Sequence, residues 1–390
     1  MIAGMMIVLL GAGFWSVSAV TDTYLGFVEA EIDNSGGADG INGSWSVEVS
    51  PDGRHVYVVG SIGDAVAVFA RDTADQGKLT FLQAYFDGSG GVDGLNKATD
   101  VAISPDNMNV YVTGRDDDAL AVFTRDTVSG MLTFEEQHRD GAGGVDGLDG
   151  AYAVTVSPDN KNVYVTGEND SAVTVFARSL ISGTLTFMEV HKDGVGGVTG
   201  LGVTREIVVS PDGAFVYVVN GANTAGDGAV VTFSRDTTTG ALTFVEAVMD
   251  DAFGTTPALS GASSVAISGD GRYLYVASRI DDAVTVFRRD PDTGRLFFVQ
   301  QLEATIGGTA SISSLNGATA LDITPDDKTV IVGSDLTDTL HVFVRNPTTG
   351  LLFLVETHVD NMAGVDGLEY IKAVNVSPDG DNCVRGRFCR

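Results

Sequence analysis

Short runs dense in β-branched and aromatic residues, each bounded by turn residues, follow one another along almost the whole chain, which is the pattern of β-strands rather than helices. A paired run with a turn inside it returns six times: "VEVSPDGRHVYVVG" from Val47, "VAISPDNMNVYVTG" from Val101, "VTVSPDNKNVYVTG" from Val154, "IVVSPDGAFVYVVN" from Ile207, "VAISGDGRYLYVAS" from Val265 and "LDITPDDKTVIVGS" from Leu321. A seventh start, "VNVSPDGDN", begins at Val374. In most copies the Ser-Pro-Asp-Gly or Ser-Pro-Asp-Asn step supplies the turn, with proline presetting φ and Gly or Asn tolerating φ > 0.

A third run follows each pair, as in "AVAVFARD" from Ala65 and "AVTVFRRD" from Ala283, and then a fourth, as in "KLTFLQAYF" from Lys78 and "MLTFEEQHR" from Met131. The repeating unit is thus four strands in about 53 residues, the signature of a β-propeller blade, with a solenoid as the weaker alternative. The fold class expected is all-β: a propeller of four-stranded blades, six complete units running from Trp45 to Lys372. Leu25 to Ile32, "LGFVEAEI", matches a fourth strand with no strands before it, and Ala373 to Val376 begins a first strand. The two termini therefore share a seventh, incomplete blade that clasps the ring. The pattern divides the chain into a leader at 1–20, one propeller domain at 24–382 and an off-pattern basic tail at 383–390 that begins with "CVRGR".

Composition adds limits. With 52 acidic residues against 23 basic ones the net charge is -29, which repels phosphate backbones and excludes nucleic acid as a partner. The first twenty residues are apolar, lack Lys and Arg, and end near Val17-Ser18-Ala19, where a signal peptidase could cut. Export follows as the expectation, to the periplasm, the cell surface or the medium, with a retained membrane anchor as the alternative. The only two cysteines, Cys383 and Cys389, lie in the last eight residues, so the fold does not rest on disulfides.

The phrases "SPDG..VYV" and "VTVFRRDPDTGRL" resemble the lactonase-like seven-bladed propellers, a group that includes 6-phosphogluconolactonase-type and muconate-lactonising enzymes, and also the YVTN-type surface-layer propellers. The resemblance spans nearly everything after about residue 24. It implies a site at the channel mouth in which Arg and His just before the innermost strand, with an acidic partner, bind an anionic substrate and move a proton. The corresponding pairs here are Trp45-Ser46, Thr99-Asp100, Tyr152-Ala153, Arg205-Glu206, Ser263-Ser264, Thr319-Ala320 and Lys372-Ala373. Arg205 alone matches, and none of these places holds a histidine.

His138, His191 and His358 share one repeat position near the end of the fourth strand, spread around the outer rim, where they cannot share a metal or a substrate. No nucleophile elbow, phosphate-binding loop or zinc-protease motif is present. Candidate chemistry therefore sits at the channel mouth: Arg205 as anion anchor and Glu206 as acid or base, with Trp45, Asp100, Tyr152 and Lys372 as ligand contacts. Lengthened loops at Gly221 to Ala229, Asp250 to Ser263 and Ala304 to Thr319 crowd the same face. Two functions are weighed: a binding or interaction scaffold for a small molecule, carbohydrate or protein, and hydrolysis of a sugar lactone or related ester. A polysaccharide-active propeller would draw on Trp45 and Tyr152. No organic cofactor is called for. Calcium would find its oxygens at Asp140, Asp146 and Asp149, in the crossing "DGAGGVDGLDGA".

Overall fold

The four strands of a repeat differ in how much of each is covered, and that difference sets their order in the blade. Second strands such as His55–Gly60 and Asn109–Gly114 are buried at every residue, while fourth strands such as Leu132–Arg139 bury only their first leucine fully. A strand apolar on both faces needs a sheet on each side, and one that alternates can stand at an edge. The computed structural model, which describes residues 5–10, 15–16, 25–35, 37–221, 228–250, 257–304, 312–365 and 367–387, satisfies this as a ring of antiparallel sheets. Six sheets have four strands each, in the order first, second, third, fourth from axis to rim. Blade one comprises Ser44–Val49, His55–Gly60, Ala65–Asp72 and Lys78–Phe86. Blades two to six span 98–139, 151–192, 204–249, 262–303 and 318–359.

The seventh sheet joins the ends of the chain. Ile371–Val376 is its first strand, and Asn382–Arg387 pairs antiparallel with it as the second. The tail set apart from residue 383 therefore begins inside a strand. Its composition breaks the repeat, but the backbone ladder does not depend on composition: Val376 pairs Cys383 and Val374 pairs Arg385. Leu25–Glu31 takes the fourth place, one residue shorter than expected. Met5–Leu10, within the expected leader, lies between them and runs parallel to both.

Ring closure is visible in a hydrogen bond that recurs around the rim. A side chain on each fourth strand accepts the N–H of the leading leucine of the next, a carboxylate or amide in most blades and the Tyr85 hydroxyl in blade one: Glu136 from Leu185 at 2.7 Å, Glu189 from Leu242 at 2.7 Å, Gln300 from Leu352 at 2.8 Å, Tyr85 from Leu132 at 2.7 Å. Glu356 of blade six accepts from Leu25 at 3.0 Å, and Glu29 accepts from Leu79 of blade one. Leu25–Glu31 thus holds the fourth-strand place toward both neighbours.

The cores lie between blades, and a buried arginine clasps most junctions. Arg178, ending the third strand of blade three, reaches back to blade two, where its Nε donates to Tyr111 Oη at 2.7 Å and its Nη2 to Asp106 and Asn109. Arg125, Arg235, Arg289 and Arg345 repeat the contact with Tyr57, Tyr164, Tyr217 and Tyr275, and Arg71 reaches Asp379 and Asn382. At the first junction His55 stands where blades two and three have Asn109 and Asn162, and its Nδ1 accepts from Arg125 at 2.8 Å. Burial, and then the Arg125 charge, push the His55 pKa below 6.5. The unfolded chain takes up this proton below pH 6.5 while the folded chain resists it, so stability is expected to fall as pH drops through that value. His55→Asn should flatten the acid loss below pH 6.5. Thermal midpoints that follow pH identically in both proteins would contradict this.

The crossings from rim to axis use aspartate as a structural acceptor. Asp140 takes the N–H of buried Leu148 at 3.0 Å, and Asp33, Asp87, Asp193 and Asp360 do the same for the residue eight positions on. Gly147 holds φ at +93°, and a Cβ there would lie 2.4 Å from Val190, so the crossing admits only glycine at this point.

Candidate functional site

The first strands surround an axial channel of about 780 Å³. Neighbouring first strands share no ladder, so side chains within the channel satisfy the next strand's backbone instead. Asp100 accepts from Val154 N–H at 2.9 Å and from Ser46 Oγ at 2.7 Å; Glu206 accepts from Val265 N–H at 2.7 Å; Asp322 accepts from Val376 N–H at 2.7 Å. Asn375 accepts from Val49 and donates to Glu48. Glu48, Asp100 and Glu206 thus line one lumen, and Asp322 lies near enough to repel Glu48. All four are surrounded by protein, and this desolvation raises their pKa values: Asp100 and Asp322 to about 6, Glu206 to about 8, and Glu48 well above the usual range, where its three neighbours add repulsion.

At one end of the channel the lining turns basic and aromatic. Arg205 lies over the Tyr152 ring, with Cζ 4.6 Å from its centroid, and Tyr152 meets Trp45 edge to face at 6.4 Å. Lys372 Nζ sits 5.7 Å from the Trp45 ring. Cation, aromatic, aromatic and cation thus form one continuous row across the mouth. The cations are also held by carboxylates: Glu168 binds Arg205 at 2.9 Å and Arg115 at 2.6 Å, while Asp335 binds Lys372 at 2.7 Å and Arg279 at 2.8 Å. Gly221 makes room for this arrangement, since a Cβ there would fall 2.5 Å from Arg205 Cγ.

All six channel-mouth residues singled out from sequence, Arg205, Glu206, Trp45, Asp100, Tyr152 and Lys372, line this one channel. Sequence reasoning missed Glu48 in the throat with Asp322 close to it, and Arg115, Glu168, Arg279 and Asp335 at the mouth. The last four occupy one repeat position, the residue after the second strand, where Ser61 and Gly221 stand in blades one and four. Charges alternating in sign at a single position of otherwise similar repeats were the available signal. Much of the three lengthened loops, at 222–227, 251–256 and 305–311, lies outside the described residues.

The expected calcium ligands are only partly brought together. Asp140 and Asp146 converge with Asp170 rather than with Asp149, whose Oδ1 instead accepts from Asn169 at 2.8 Å. Lys192 already binds Asp146 at 2.8 Å and Asp170 at 2.7 Å. The rim histidines are set apart as anticipated: His138 and His191 each contact the glutamate two residues earlier on their own strand. His341 is buried between Ser314 and Thr357, and no histidine lines the channel among the described residues.

Two curated 6-phosphogluconolactonases are similar in sequence. The protein from Formosa agariphila is 29% identical over 150 residues, 38% of this chain and 39% of that one, so the chain matches well under half the length of this relative. The protein from Enterobacter sp. is 26% identical over 261 residues, 66% of this chain and 70% of that one. The periplasmic gluconolactonase PpgL of Pseudomonas aeruginosa shares the fold, with a TM-score of 0.65 at 18% identity over 90% of this chain and 94% of the other. The family model described as "Lactonase, 7-bladed beta-propeller" matches residues 42–144, 145–257 and 227–366, nearly the whole ring, and the chain belongs to that family.

Proposed function

We propose that the channel mouth hydrolyses a lactone of a small sugar acid. The observation that carries this is the adjacency of Arg205, fixed between Glu168 and the Tyr152 ring, and Glu206, whose carboxyl opens on the same channel. Arg205 holds an anionic group of the substrate. Glu206, once ionised, takes a proton from water as the water oxygen attacks the lactone carbonyl. The carbon to ring-oxygen bond then breaks, and Glu206 returns the proton to the departing ring oxygen. The named activities of the relatives support hydrolysis more than the binding-scaffold expectation. Export belongs to the same proposal and rests on the apolar leader alone; a secreted form starting near Val20, which would do without the Met5–Leu10 strand of the seventh sheet, would bear it out.

Purified protein offered a panel of sugar lactones is expected to open at least one of them, and Arg205→Ala to lower the rate by about 10²-fold. Failure to open any lactone would return the chain to the scaffold reading. Turnover unaffected by Arg205→Ala would place the chemistry elsewhere.

A further inference from the structure

The outer edge of the ring is not uniform. The residue after the leading leucine of the fourth strand is an exposed threonine in blades one to four, Thr80, Thr133, Thr186 and Thr243, but phenylalanine in the adjacent blades five and six, Phe297 and Phe353. The third-strand residues paired with them change as well. Small residues such as Ala177 and Ser234 stand opposite the threonines, whereas Phe353 faces Val344 and Phe297 faces Arg288, whose Cζ lies 4.6 Å from the ring centroid. Phe298, Leu354 and Val355 extend the apolar surface, and all five of these side chains are between 39% and 54% exposed. Gln300 joins the two strands by bonding both the N–H and the carbonyl of Leu352. An open sheet edge is ordinarily kept apart from other edges by charge, as exposed Glu135 does in blade two, but Val355 stands at that position in blade six. Neither 295–301 nor 351–355 contains an acidic residue, on a chain that has 52 of them.

We infer that this part of the rim is a self-association surface, on which a second copy of the chain docks about a twofold axis. With about 200 Å² for a whole phenylalanine, the five half-open side chains expose roughly 400 Å² of apolar surface. That is about half of the ~800 Å² that each partner buries in a stable dimer, so the patch supplies the apolar centre and its polar surroundings the remainder. Charge selects the occupant. Two chains of net charge -29 repel wherever their acidic surfaces meet, whereas the apolar strands here are flanked by exposed Arg288 and Arg295, which attract the acidic surface that a second copy brings. A twofold contact sets the patch against itself and closes, so association stops at two. The surface lies on the rim, away from the axial channel, and the inference does not depend on the hydrolytic reading.

Sedimentation velocity of the purified chain from about 1 µM to about 100 µM is expected to show an equilibrium between monomer and dimer. The double variant Phe297→Thr with Phe353→Thr should weaken the dimer by about 10²-fold or more, since the most exposed aromatic anchors of the patch are lost from both copies. It carries the residue that blades one to four already hold at this position, so the blades should fold, as its melting temperature would verify. Val355→Glu, which copies Glu135 of blade two, should also favour the monomer by setting like charges against each other across the axis. Ile181→Ser, at an exposed turn of blade three outside the patch, should leave the dimer unchanged. A monomer at every concentration, a dimer that survives both patch variants, a dimer lost equally in Ile181→Ser, or growth beyond two copies overturns the inference. Monomeric protein that cosediments with phosphatidylglycerol vesicles, and ceases to in the double variant, would assign the patch to a lipid surface and overturn it as well.

Discussion

Arg178→Ala is expected to destabilise the protein by about 3–5 kcal/mol, because it strips one side from a buried charged network rather than removing the network whole. Its guanidinium is 1% exposed and satisfies groups on two blades at once: Tyr111 Oη, the Asp106 carboxylate, Asn109 Oδ1 and the Asn160 carbonyl. Alanine would leave Asn109 and part of Asp106 facing a void. The comparison lies within the molecule. Blade six carries Ile331 at the position of the clasping tyrosines, packed against Leu25, Ile371 and Cys383, and its turn aspartate, Asp326, pairs with exposed Lys328. An apolar junction therefore replaces the polar one there, and Asp326→Ala is expected to cost under about 1 kcal/mol. Urea unfolding midpoints of the two variants against wild type check both figures. An Arg178→Ala midpoint as close to wild type as that of Asp326→Ala would show that the clasp specifies the junction without stabilising it.

That network also shows which parts of the molecule could be read in advance. Strand order followed from local features: β-branched runs, Pro-Asp turns and a 53-residue return are fixed by chain geometry within one blade. Closure through Leu25–Glu31 was equally legible, since a fourth strand without predecessors has one vacant place in a ring. The seventh blade's second strand was not, because Asn382–Arg387 keeps the ladder while losing the apolar residues by which the others were recognised. The site was half legible for a related reason. Residues opening the first strand, such as Arg205 and Lys372, were compared across repeats and found. Their carboxylate partners Glu168 and Asp335 belong to the preceding blade and follow a different strand, so the pairing exists only once the ring is closed. Likewise, Asp140 to Asp149 reads as one cation loop by composition, but Asp140 and Asp146 converge with Asp170, which lies outside that stretch and reaches them only in the folded ring.

Glu206→Gln is expected to lower lactone turnover by about 10²- to 10⁴-fold while leaving the ring intact. Glutamine has the same shape and retains an acceptor for the Val265 N–H, so the stitch between blades four and five survives and only the proton-transfer function is lost. The pH dependence provides a second, independent readout. Burial, chiefly, raises the Glu206 pKa from 4.5 to about 8, against the opposing effect of hydrogen bonds from Ser264 and Val265. A general base must be ionised, so kcat/KM should climb as pH rises through about 8 and level off above it. Stability should move the opposite way. The unfolded chain ionises this group from pH 4.5 upward and the folded chain does not until about 8, so wild type should lose stability across that interval as pH rises, and Glu206→Gln should lose less. A rate profile flat between pH 6 and 9, or one that persists in Glu206→Gln, would remove this residue from the chemistry. Asp100, raised only to about 6, would then be the carboxylate to replace next, and its profile should rise two pH units lower.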